Sequence, residues 1–575
     1  MRGTSPKSFL AIVSALALTA ACSPDGEAPV VKAGPVVDAE VSSAGNYLAG
    51  RQAQKNRDFN SASRFLGRAL EDSPENTLLL RNTFLARLAD GDIAAAVPMA
   101  EEIVKRQRSA SVAAMILLVD AVERKDLASA EKMLAAFPNR GFSGFMKPLL
   151  ESWVMIGKSE GDGAINALAP LKKQSGLRVL YELHAALLSD AAGMSDKAEG
   201  HYKLAAQNVR RSTLRVVQGY GQHLERAGKT EEARELYDTY LRENPDSVVL
   251  GPALARLNKR QKPALLVSTP AQGIAEALFN VAGTMTRQNS AQTALIYGQL
   301  ALHLRPDFDL ARMLVAGILE SMNRNGDAIA EYRDIVPTSP FYWSARLRIA
   351  GNLEALDRDD AAIKLLQNLT TEDATRAEPL VSLGDLLRSN KRFKESVDAY
   401  DRAIDLLTDI DKRHWAILYS RGISLERSKQ WERAERDFKR ALELNPDQPY
   451  VLNYLGYSWV DQGINLERAR KMIERAVELR PNDGYIVDSL GWVLYRMKDF
   501  DGAVRHLERA VELRPNDPTI NDHLGDAYWR VGRYIEARFQ WQRALALKPE
   551  EDQISAIEDK LLRGLKVSDT GEKDS

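Results

Sequence analysis

Apolar residues recur with a helical period in a short stretch near the C-terminal end of the chain. The sequence VDSLGWVLYR places Val487, Leu490 and Leu494 at steps of three and four, which is the spacing of residues on one face of an α-helix. Gly491 lies on this face, although a glycine inside a helix costs about 1 kcal/mol relative to alanine. Trp492 lies one position off the face. The pattern predicts a helix, and it leaves the glycine and the tryptophan to be explained.

The same pattern of residues returns 34 positions later, around Gly525. In both segments, alanines follow the glycine by twelve and nineteen positions, and a proline follows it by twenty-four. This spacing is typical of the tetratricopeptide repeat (TPR), a pair of antiparallel helices A and B. A small residue lets helix A cross helix B closely, so we expect Gly491 at such a crossing. The predicted fold class is therefore an all-α TPR solenoid, a right-handed superhelix of antiparallel helix pairs.

The repeat phase continues towards the N-terminus. Each upstream equivalent of Gly491 precedes the next by 34 or 35 residues, except for one step of 38 and one break. The equivalent positions are Gly456, Gly422, Gly384, Ala350, Ala316, Ala282, Gly221, Ala186, Ser152, Leu118, Phe84 and Gly50. Because a phase kept over this length is hard to produce by chance, the sequence predicts about fourteen helix pairs.

The phase breaks between Gly221 and Ala282, which are 61 residues apart. Residues 250–273 contain three prolines and a basic cluster, which predicts an irregular connection. Two interpretations of this connection stay open: a hinge between two solenoid lobes, or a degenerate repeat. The connection separates an N-terminal TPR lobe, residues 44–249, from a C-terminal TPR lobe, residues 274–550.

The sequence after the last repeat divides into two parts. Residues 551–566 place Ile554, Ile557 and Leu561 on one side of a helix. We expect this helix to cap the last repeat, because a solenoid without a cap exposes apolar surface at its end. Residues 567–575, VSDTGEKDS, are polar and are expected to be disordered.

The N-terminus has the features of a secretory signal peptide over residues 1–21. Basic residues precede a short apolar stretch, and small residues follow it directly before Cys22, as in a cleaved leader. Cys22 is the single cysteine of the chain, and it stands where the lipobox of a bacterial lipoprotein has its lipidated residue. The lipobox usually has leucine where this chain has Thr19. We therefore predict lipidation of Cys22, with a flexible tether over residues 22–43.

The residue after the cysteine bears on localisation. Ser23, in place of aspartate, resembles the signal for outer-membrane sorting in Gram-negative bacteria. The expected location is the bacterial outer membrane, where a lipid would anchor the chain facing the periplasm. The alternative is an ordinary cleaved signal and secretion to the periplasm. No other apolar run in the sequence approaches the ~20 residues that a transmembrane helix needs.

Composition and motifs argue against several classes of function. The 78 basic and 79 acidic residues nearly balance, whereas a nucleic-acid-binding protein has a basic face or tail. No nucleophile elbow, zinc-protease helix, P-loop or dinucleotide-binding glycine motif occurs. The seven histidines are scattered, without metal-ligand spacing, and the repeats leave no segment for a catalytic domain. We therefore expect no enzyme, no cofactor, no metal site and no nucleic-acid partner.

The concave face of the last three repeats is the candidate binding surface. In a TPR solenoid helix A lines this face, and positions one step off its packing side point into the groove. Tyr, Trp and Arg, the types most enriched at binding hot spots, occur at these positions. The predicted protein- or peptide-binding residues are Tyr450, Asn453, Tyr457, Tyr485, Asp488, Trp492, Tyr495, Arg496, Asp522, Asp526, Trp529 and Arg530. Two alternatives to a binding surface stay open: the aromatic rings pack against the next helix, or the terminal helix folds back over them.

The run from Asn453 to Trp529 is more specific than a generic repeat. It begins NYLGYSWVDQG and contains DSLGWVLYR, and these paired elements resemble those of a family of Gram-negative outer-membrane TPR lipoproteins. The lipobox and the long repeat array match that family as well. The N-terminal half of the chain is only generically TPR.

The resemblance implies a function. Characterised members of the family are adaptors for a periplasmic carboxyl-terminal processing protease, and they gather the protease and its substrates, commonly peptidoglycan hydrolases. The expectation is a membrane-anchored scaffold that binds proteins or peptides and brings such a protease to cell-wall hydrolases. The alternative is an envelope assembly factor or chaperone, for outer-membrane proteins or polysaccharide export.

Overall fold

The computed structural model describes residues 42–565, apart from residues 108–109, 138–140, 174–175, 208–212, 246 and 288–289. The predicted signal peptide, Cys22 and the C-terminal tail lie outside the described residues. Of the residues that the structure describes, 78% are helical, and none lies in a β-strand. The predicted all-α, TPR-like solenoid is therefore confirmed. Among the described helices, none combines the length and the apolar character that crossing a membrane requires.

Helices α1 to α13 form the N-terminal lobe. They are α1 (Ser43–Lys55), α2 (Phe59–Asp72), α3 (Thr77–Asp90), α4 (Ile93–Arg106), α5 (Ser111–Glu123), α6 (Leu127–Ala136), α7 (Gly141–Gly157), α8 (Gly161–Ala167), α9 (Ala169–Lys172), α10 (Arg178–Ala191), α11 (Ser195–Ala205), α12 (Leu214–Arg226) and α13 (Thr230–Glu243). Consecutive helices pair as A and B, and two short helices, α8 and α9, take the place of one helix B beside α7.

The connection between the lobes contains a short 3-10 turn, Val248–Leu250, and helix α14 (Gly251–Asn258). Leu250, Ala253 and Leu257 are buried in a small apolar cluster with side chains of α12 and α13. The connection therefore begins as an extension of the N-terminal lobe, and residues 261–269 then lead without helix to the C-terminal lobe.

Helices α15 to α30 form the C-terminal lobe, and helix α31 follows its last repeat. They are α15 (Pro270–Arg287), α16 (Ala291–Leu304), α17 (Asp309–Ser321), α18 (Asn325–Arg333), α19 (Tyr342–Glu354), α20 (Asp359–Glu372), α21 (Glu378–Ser389), α22 (Phe393–Asp405), α23 (Trp415–Arg427), α24 (Trp431–Leu444), α25 (Pro449–Asp461), α26 (Leu466–Leu479), α27 (Gly484–Arg496), α28 (Phe500–Leu513), α29 (Pro518–Arg530), α30 (Tyr534–Ala546) and α31 (Glu551–Arg563). The inserted residues in the 38-residue step of the repeat contain a 3-10 turn, Lys412–His414, between α22 and α23.

Gly491 lies where helix A of its repeat, α27, crosses helix B, α28. A Cβ atom added at Gly491 would lie 2.5 Å from Cγ and 3.2 Å from the backbone nitrogen of Leu507. Gly525 faces Trp541 in the same way, with 2.5 Å from the added Cβ to Cδ1. In both cases the residue that faces the glycine lies sixteen positions later in the sequence, on helix B. The predicted helix crossing is confirmed, and this close packing compensates for the low helix propensity of glycine.

The two lobes pack directly against each other. Helix α15 contacts α5, α7 and α10, and helix α16 contacts α3 and α5; these partners are all helices A of the N-terminal lobe. A side chain at Gly273 of α15 would overlap the indole of Trp153. One cluster of buried apolar residues runs through both lobes, from Phe59 to Ala399. Movement about the connection would therefore require this shared core to break.

Buried polar groups join the lobes as well. Glu276 of α15 is fully buried, and it accepts a hydrogen bond of 2.9 Å from Nε of Arg215 on α12. Because α15 and α16 lie on the helices A of the N-terminal lobe, the chain itself occupies the concave side of that lobe. The concave face that stays open to a partner is that of the C-terminal lobe.

Candidate functional site

A concave pocket of about 260 Å³ lies where helices α25, α27 and α29 meet on the concave face. Four of the predicted binding residues line it, and they are Asn453, Tyr457, Tyr485 and Asp488. Tyr454, Thr519 and Ile520 complete much of the wall. We call this concavity the groove pocket. The helix A register thus brings together predicted residues from two repeats, and a third repeat closes the pocket.

Two tyrosines at equivalent positions of consecutive repeats present their rings at the surface of the groove. Tyr450 is 40% exposed and Tyr485 is 50% exposed. The guanidinium carbon of Arg480 lies 5.7 Å from the ring centre of Tyr450, and that of Arg514 lies 4.7 Å from the ring centre of Tyr485. Such cation–π contacts hold the rings in place. Both rings therefore offer ordered aromatic surface to a partner.

Tyr457 is the more enclosed aromatic residue of the groove pocket. Burial raises the pKa of Tyr457, Asp488 and Asp461 raise it further, and Arg496 acts in the opposite direction. The phenol therefore keeps its proton at neutral pH and can donate a hydrogen bond to a carbonyl group. Arg496, another predicted binding residue, is therefore close enough for its charge to act on Tyr457.

Asn453 brings an unsatisfied acceptor to the groove pocket. Its Oδ1 atom is buried and accepts no hydrogen bond from any residue that the structure describes. A buried polar atom without a partner carries a desolvation penalty, and native proteins leave few such atoms unpaired. An N–H group of a bound polypeptide would remove this penalty once the amide of Asn453 turns towards the pocket, which Tyr457 also lines.

Tyr454 is a pocket residue that sequence reasoning missed. Its hydroxyl donates a hydrogen bond of 3.0 Å to Oε2 of Glu426, and its ring lies 5.2 Å from Phe438 and 6.0 Å from Tyr419. The repeat register places this position between neighbouring helices A, and the equivalent residue of the next repeat is the small Ser489. Ser489 lines the groove pocket as well, so this helix A position, one step after Asn453 and Asp488, was the available signal.

Trp492 and Tyr495 belong to a packed aromatic stack beside the groove pocket. Their rings are 4.8 Å apart and 7° from parallel, and Trp492 also stacks on His523 at 4.1 Å. The hydroxyl of Tyr495 accepts a hydrogen bond of 3.2 Å from Nε of Arg530. These three predicted residues, Trp492, Tyr495 and Arg530, therefore join α27 to α29, and Trp492 is left only partly exposed.

A charged cluster lies beneath this stack. Nδ1 of His523 lies 3.0 Å from Oδ1 of Asp488. Burial opposes protonation of His523, but Asp488, with Asp522 and Asp526 further away, outweighs it and raises the pKa of the imidazole. Burial also raises the pKa of Asp526 to about 6, against the effect of Lys560. The imidazole thus lies among carboxylates, which favour its protonated form.

Helix α31 covers the groove side of the last repeat. Nζ of Lys560 lies 2.8 Å from carboxylate oxygens of both Asp522 and Asp526, and Gly564 packs so closely on the indole of Trp529 that a Cβ would overlap it. Ile557 of α31 is buried. Asp522, Asp526 and Trp529 therefore contact the chain's own terminal helix, and the groove pocket is the part of the predicted surface that stays open.

Within residues 42–565, as far as they are described, no group of three or more His, Cys, Asp or Glu side chains could hold a metal ion. The side chains that line the groove pocket offer aromatic surface, phenol hydroxyls, an amide and carboxylates, which are groups suited to recognition.

Two family models match the C-terminal lobe. A tetratricopeptide repeat model matches residues 415–448, and a TPR repeat model matches residues 491–532. The second match contains Gly491, Trp492 and the α27–α28 crossing. No curated protein matches the chain in the sequence comparison.

Several solved structures are similar to this chain in the structure comparison. The Cut9–Hcn1 hetero-tetramer of the APC/C is matched over 91% of this chain and 96% of that chain, with 15% identity and a TM-score of 0.39. YrrB, described as a TPR protein with an unusual peptide-binding site, is matched over 38% of this chain and 92% of that chain, with 17% identity and a TM-score of 0.23. A TPR protein from Parabacteroides merdae ATCC 43184 is matched over 50% of this chain and 98% of that chain, with 12% identity and a TM-score of 0.33.

The family matches agree with the repeat geometry described above. The chain is a TPR-like scaffold suited to binding proteins or peptides.

Proposed function

We propose that this chain is a protein-binding adaptor of the bacterial envelope, and that the groove pocket holds an extended segment of its partner. The observation that carries the proposal is the groove pocket itself, which is lined by Tyr457, Tyr485 and Asn453, and the Oδ1 atom of Asn453 has no hydrogen-bond partner among the described residues. An aromatic pocket with a few convergent polar groups is the usual form of a recognition site. The proposed role includes no catalytic step.

The groove pocket suits a polypeptide in which a side chain alternates with backbone polar groups. An apolar or aromatic side chain of the partner would enter between Tyr454, Tyr457 and Tyr485, where it loses contact with water. A backbone N–H would donate to Asn453, and a backbone carbonyl would accept from Tyr457. Central, desolvated contacts of this kind provide most of the free energy of binding in known interfaces.

We further propose that the partner is a periplasmic carboxyl-terminal processing protease, which the chain brings to substrates such as peptidoglycan hydrolases. The resemblance of the run from Asn453 to Trp529 to adaptor lipoproteins supports this choice. A lipid on Cys22 would hold the scaffold at the outer membrane. Binding protease and substrate to one scaffold makes their encounter intramolecular and raises their effective concentration.

The groove is tested with the full chain carrying Cys22→Ser and a purified processing protease whose catalytic serine is replaced. Surface plasmon resonance of the pair should show binding that Asn453→Ala/Tyr485→Ala weakens by at least about tenfold, as for a hot spot. Phe539→Ala is the matched control, because Phe539 is 59% exposed and lies on α30 outside the groove. Equal weakening by both variants would refute the groove as the site.

The identity of the partner has its own test. If the inactive protease does not bind, while an outer-membrane protein or polysaccharide-export component is retained and depends on Asn453 and Tyr485, the assembly-factor alternative replaces the adaptor role. The anchor is tested in cells, where Cys22→Ser should move the chain from the membrane fraction to the soluble periplasm. Unchanged fractionation would refute lipidation.

A further inference from the structure

A second concavity, of about 330 Å³, lies outside the groove pocket at the turns that join helices A and B in two neighbouring repeats. One turn joins α21 to α22, and the other follows α23. Most of the lining is basic: Lys391, Arg392, Lys394 and Arg427, together with Phe393, Glu395 and Ser428. We call it the basic pocket. The chain as a whole has a formal net charge of −1, so this collection of cations is a local feature.

The cations of the basic pocket are only partly neutralised. Arg392 donates hydrogen bonds of 2.8 and 2.6 Å to Glu395, which is the one carboxylate in the lining. Lys394 and Arg427 make no ion pair with any residue of the described ranges. The guanidinium of Arg427 instead lies 5.6 Å from the ring centre of Phe393, so its position is fixed while its charge is left without a counterion from the chain.

A carboxylate from a distant part of the chain already reaches this pocket. Nζ of Lys391 lies 3.3 Å from Oε1 of Glu550, although the two residues are 159 positions apart. Glu550 begins the acidic run Glu550, Glu551 and Asp552, which leads into α31. The side chains of Lys391 and Glu550 are 71% and 62% exposed, and an exposed ion pair contributes little stability. Another carboxylate can therefore take the place of Glu550 at little cost.

We propose that the basic pocket binds an acidic peptide segment of a partner protein, whose carboxylates pair with Lys391, Lys394 and Arg427 and displace Glu550. Charge complementarity of this kind speeds association and selects the partner. A peptide fits better than an isolated small anion, because the cations are spread over two turns and the internal ligand is itself a peptide carboxylate. The site shares no residue with the groove pocket, so it stands whether or not the groove binds a protease.

The test uses the full chain with Cys22→Ser and a fluorescein-labelled peptide of six glutamates as the probe. Fluorescence anisotropy should show binding that weakens as salt is added, because ions screen exposed charges. Lys394→Gln/Arg427→Gln should weaken binding by about tenfold or more. Lys471→Gln/Arg505→Gln is the control, since it removes two exposed cations from the outer faces of α26 and α28. Equal losses in both double variants would overturn the proposal.

The internal competitor provides a second and opposite test. Glu550→Gln should strengthen binding of the hexaglutamate probe by about two- to fivefold, because the carboxylate on Lys391 is removed. Unchanged or weaker binding in this variant would contradict displacement of Glu550. The groove variant Asn453→Ala/Tyr485→Ala should leave probe affinity unchanged, which separates failure of this site from failure of the groove. Circular dichroism of each variant verifies that the helices are retained.

Discussion

The indole of Trp492 stacks on the imidazole of His523, with ring centroids 4.1 Å apart and planes 15° from parallel. Trp492 belongs to α27 and His523 to α29, so the stack joins two consecutive helices A on the concave face. The same imidazole lies 3.0 Å from Asp488, a residue of the groove pocket. Trp492 therefore helps to position the groove pocket. Because His523 can be protonated, the strength of this contact should depend on pH.

Stability should depend on pH through His523. Its pKa is raised in the folded chain, so the folded state binds more protons than the unfolded state. The resulting stability is present below the unfolded pKa of about 6.5 and is lost as pH rises through the folded pKa. The thermal unfolding midpoint of wild type should therefore exceed that of His523→Gln by a margin that shrinks from pH 6 to pH 9.

His506 provides the control for this measurement. Burial, with Arg505, lowers its pKa, so its protonation destabilises the folded chain. His506→Gln should therefore gain stability relative to wild type as pH falls below about 6.5. The same pH trend in both variants would show that the trend does not come from the pair of His523 and Asp488.

Gly491→Ala should destabilise the chain by about 1–3 kcal/mol, which is typical of overpacking. The added Cβ would lie 3.2 Å from the backbone nitrogen of Leu507 as well as against its side chain, so the helices must separate. Gly351→Ala is the matched control, because Gly351 is helical and no atom lies within 4 Å of its added Cβ. That variant should be neutral or gain up to about 1 kcal/mol from helix propensity. Denaturant unfolding followed by circular dichroism distinguishes the two.

These glycines also explain why the fold could be predicted from the sequence. The contact between Gly491 and Leu507 joins residues sixteen positions apart, and each repeat needs the same contact at the same spacing. A local requirement that recurs every 34 residues leaves a period in the sequence. The contact between Gly273 and Trp153 spans two lobes and occurs once, so no period records it, and the occupied concave side of the N-terminal lobe could not be predicted.

The candidate site could be predicted only in part, for a similar reason. The register of helix A predicts Asn453, Tyr457 and Tyr485 on the concave face, and all three line the groove pocket. Whether a groove position is open depends on what else reaches it, and the ion pairs of Lys560 with Asp522 and Asp526 depend on the path of the chain after Pro549. That path is tertiary information, which the spacing of apolar residues does not contain.

Lys560→Met should destabilise the last repeat by about 3–5 kcal/mol, because it leaves buried carboxylates without their cation. The side chains of Lys560 and Asp526 are 17% and 7% exposed. Arg563→Gln, also on α31, is the control. It removes the ion pair between Arg563, whose side chain is 71% exposed, and Asp559, and it should change the free energy of unfolding by less than about 1 kcal/mol. Adding Asp526→Asn to Lys560→Met should recover part of the loss. Hydrogen exchange of α29 to α31 measures these effects locally, and equal protection in the two single variants would contradict a role for the buried pair.

Gly273→Ala should separate the two lobes. The new methyl group would overlap the indole of Trp153, which lies in the core shared by both lobes. Gly283→Ala on the same helix α15 is the control, because no atom lies within 4 Å of its added Cβ. Trypsin can cut the connection after Lys259, Arg260 or Arg256, and cleavage requires the local chain to open. Faster cleavage there in Gly273→Ala than in wild type and Gly283→Ala would show that docking of α15 holds the lobes together, whereas equal rates in all three would place that role elsewhere in the core.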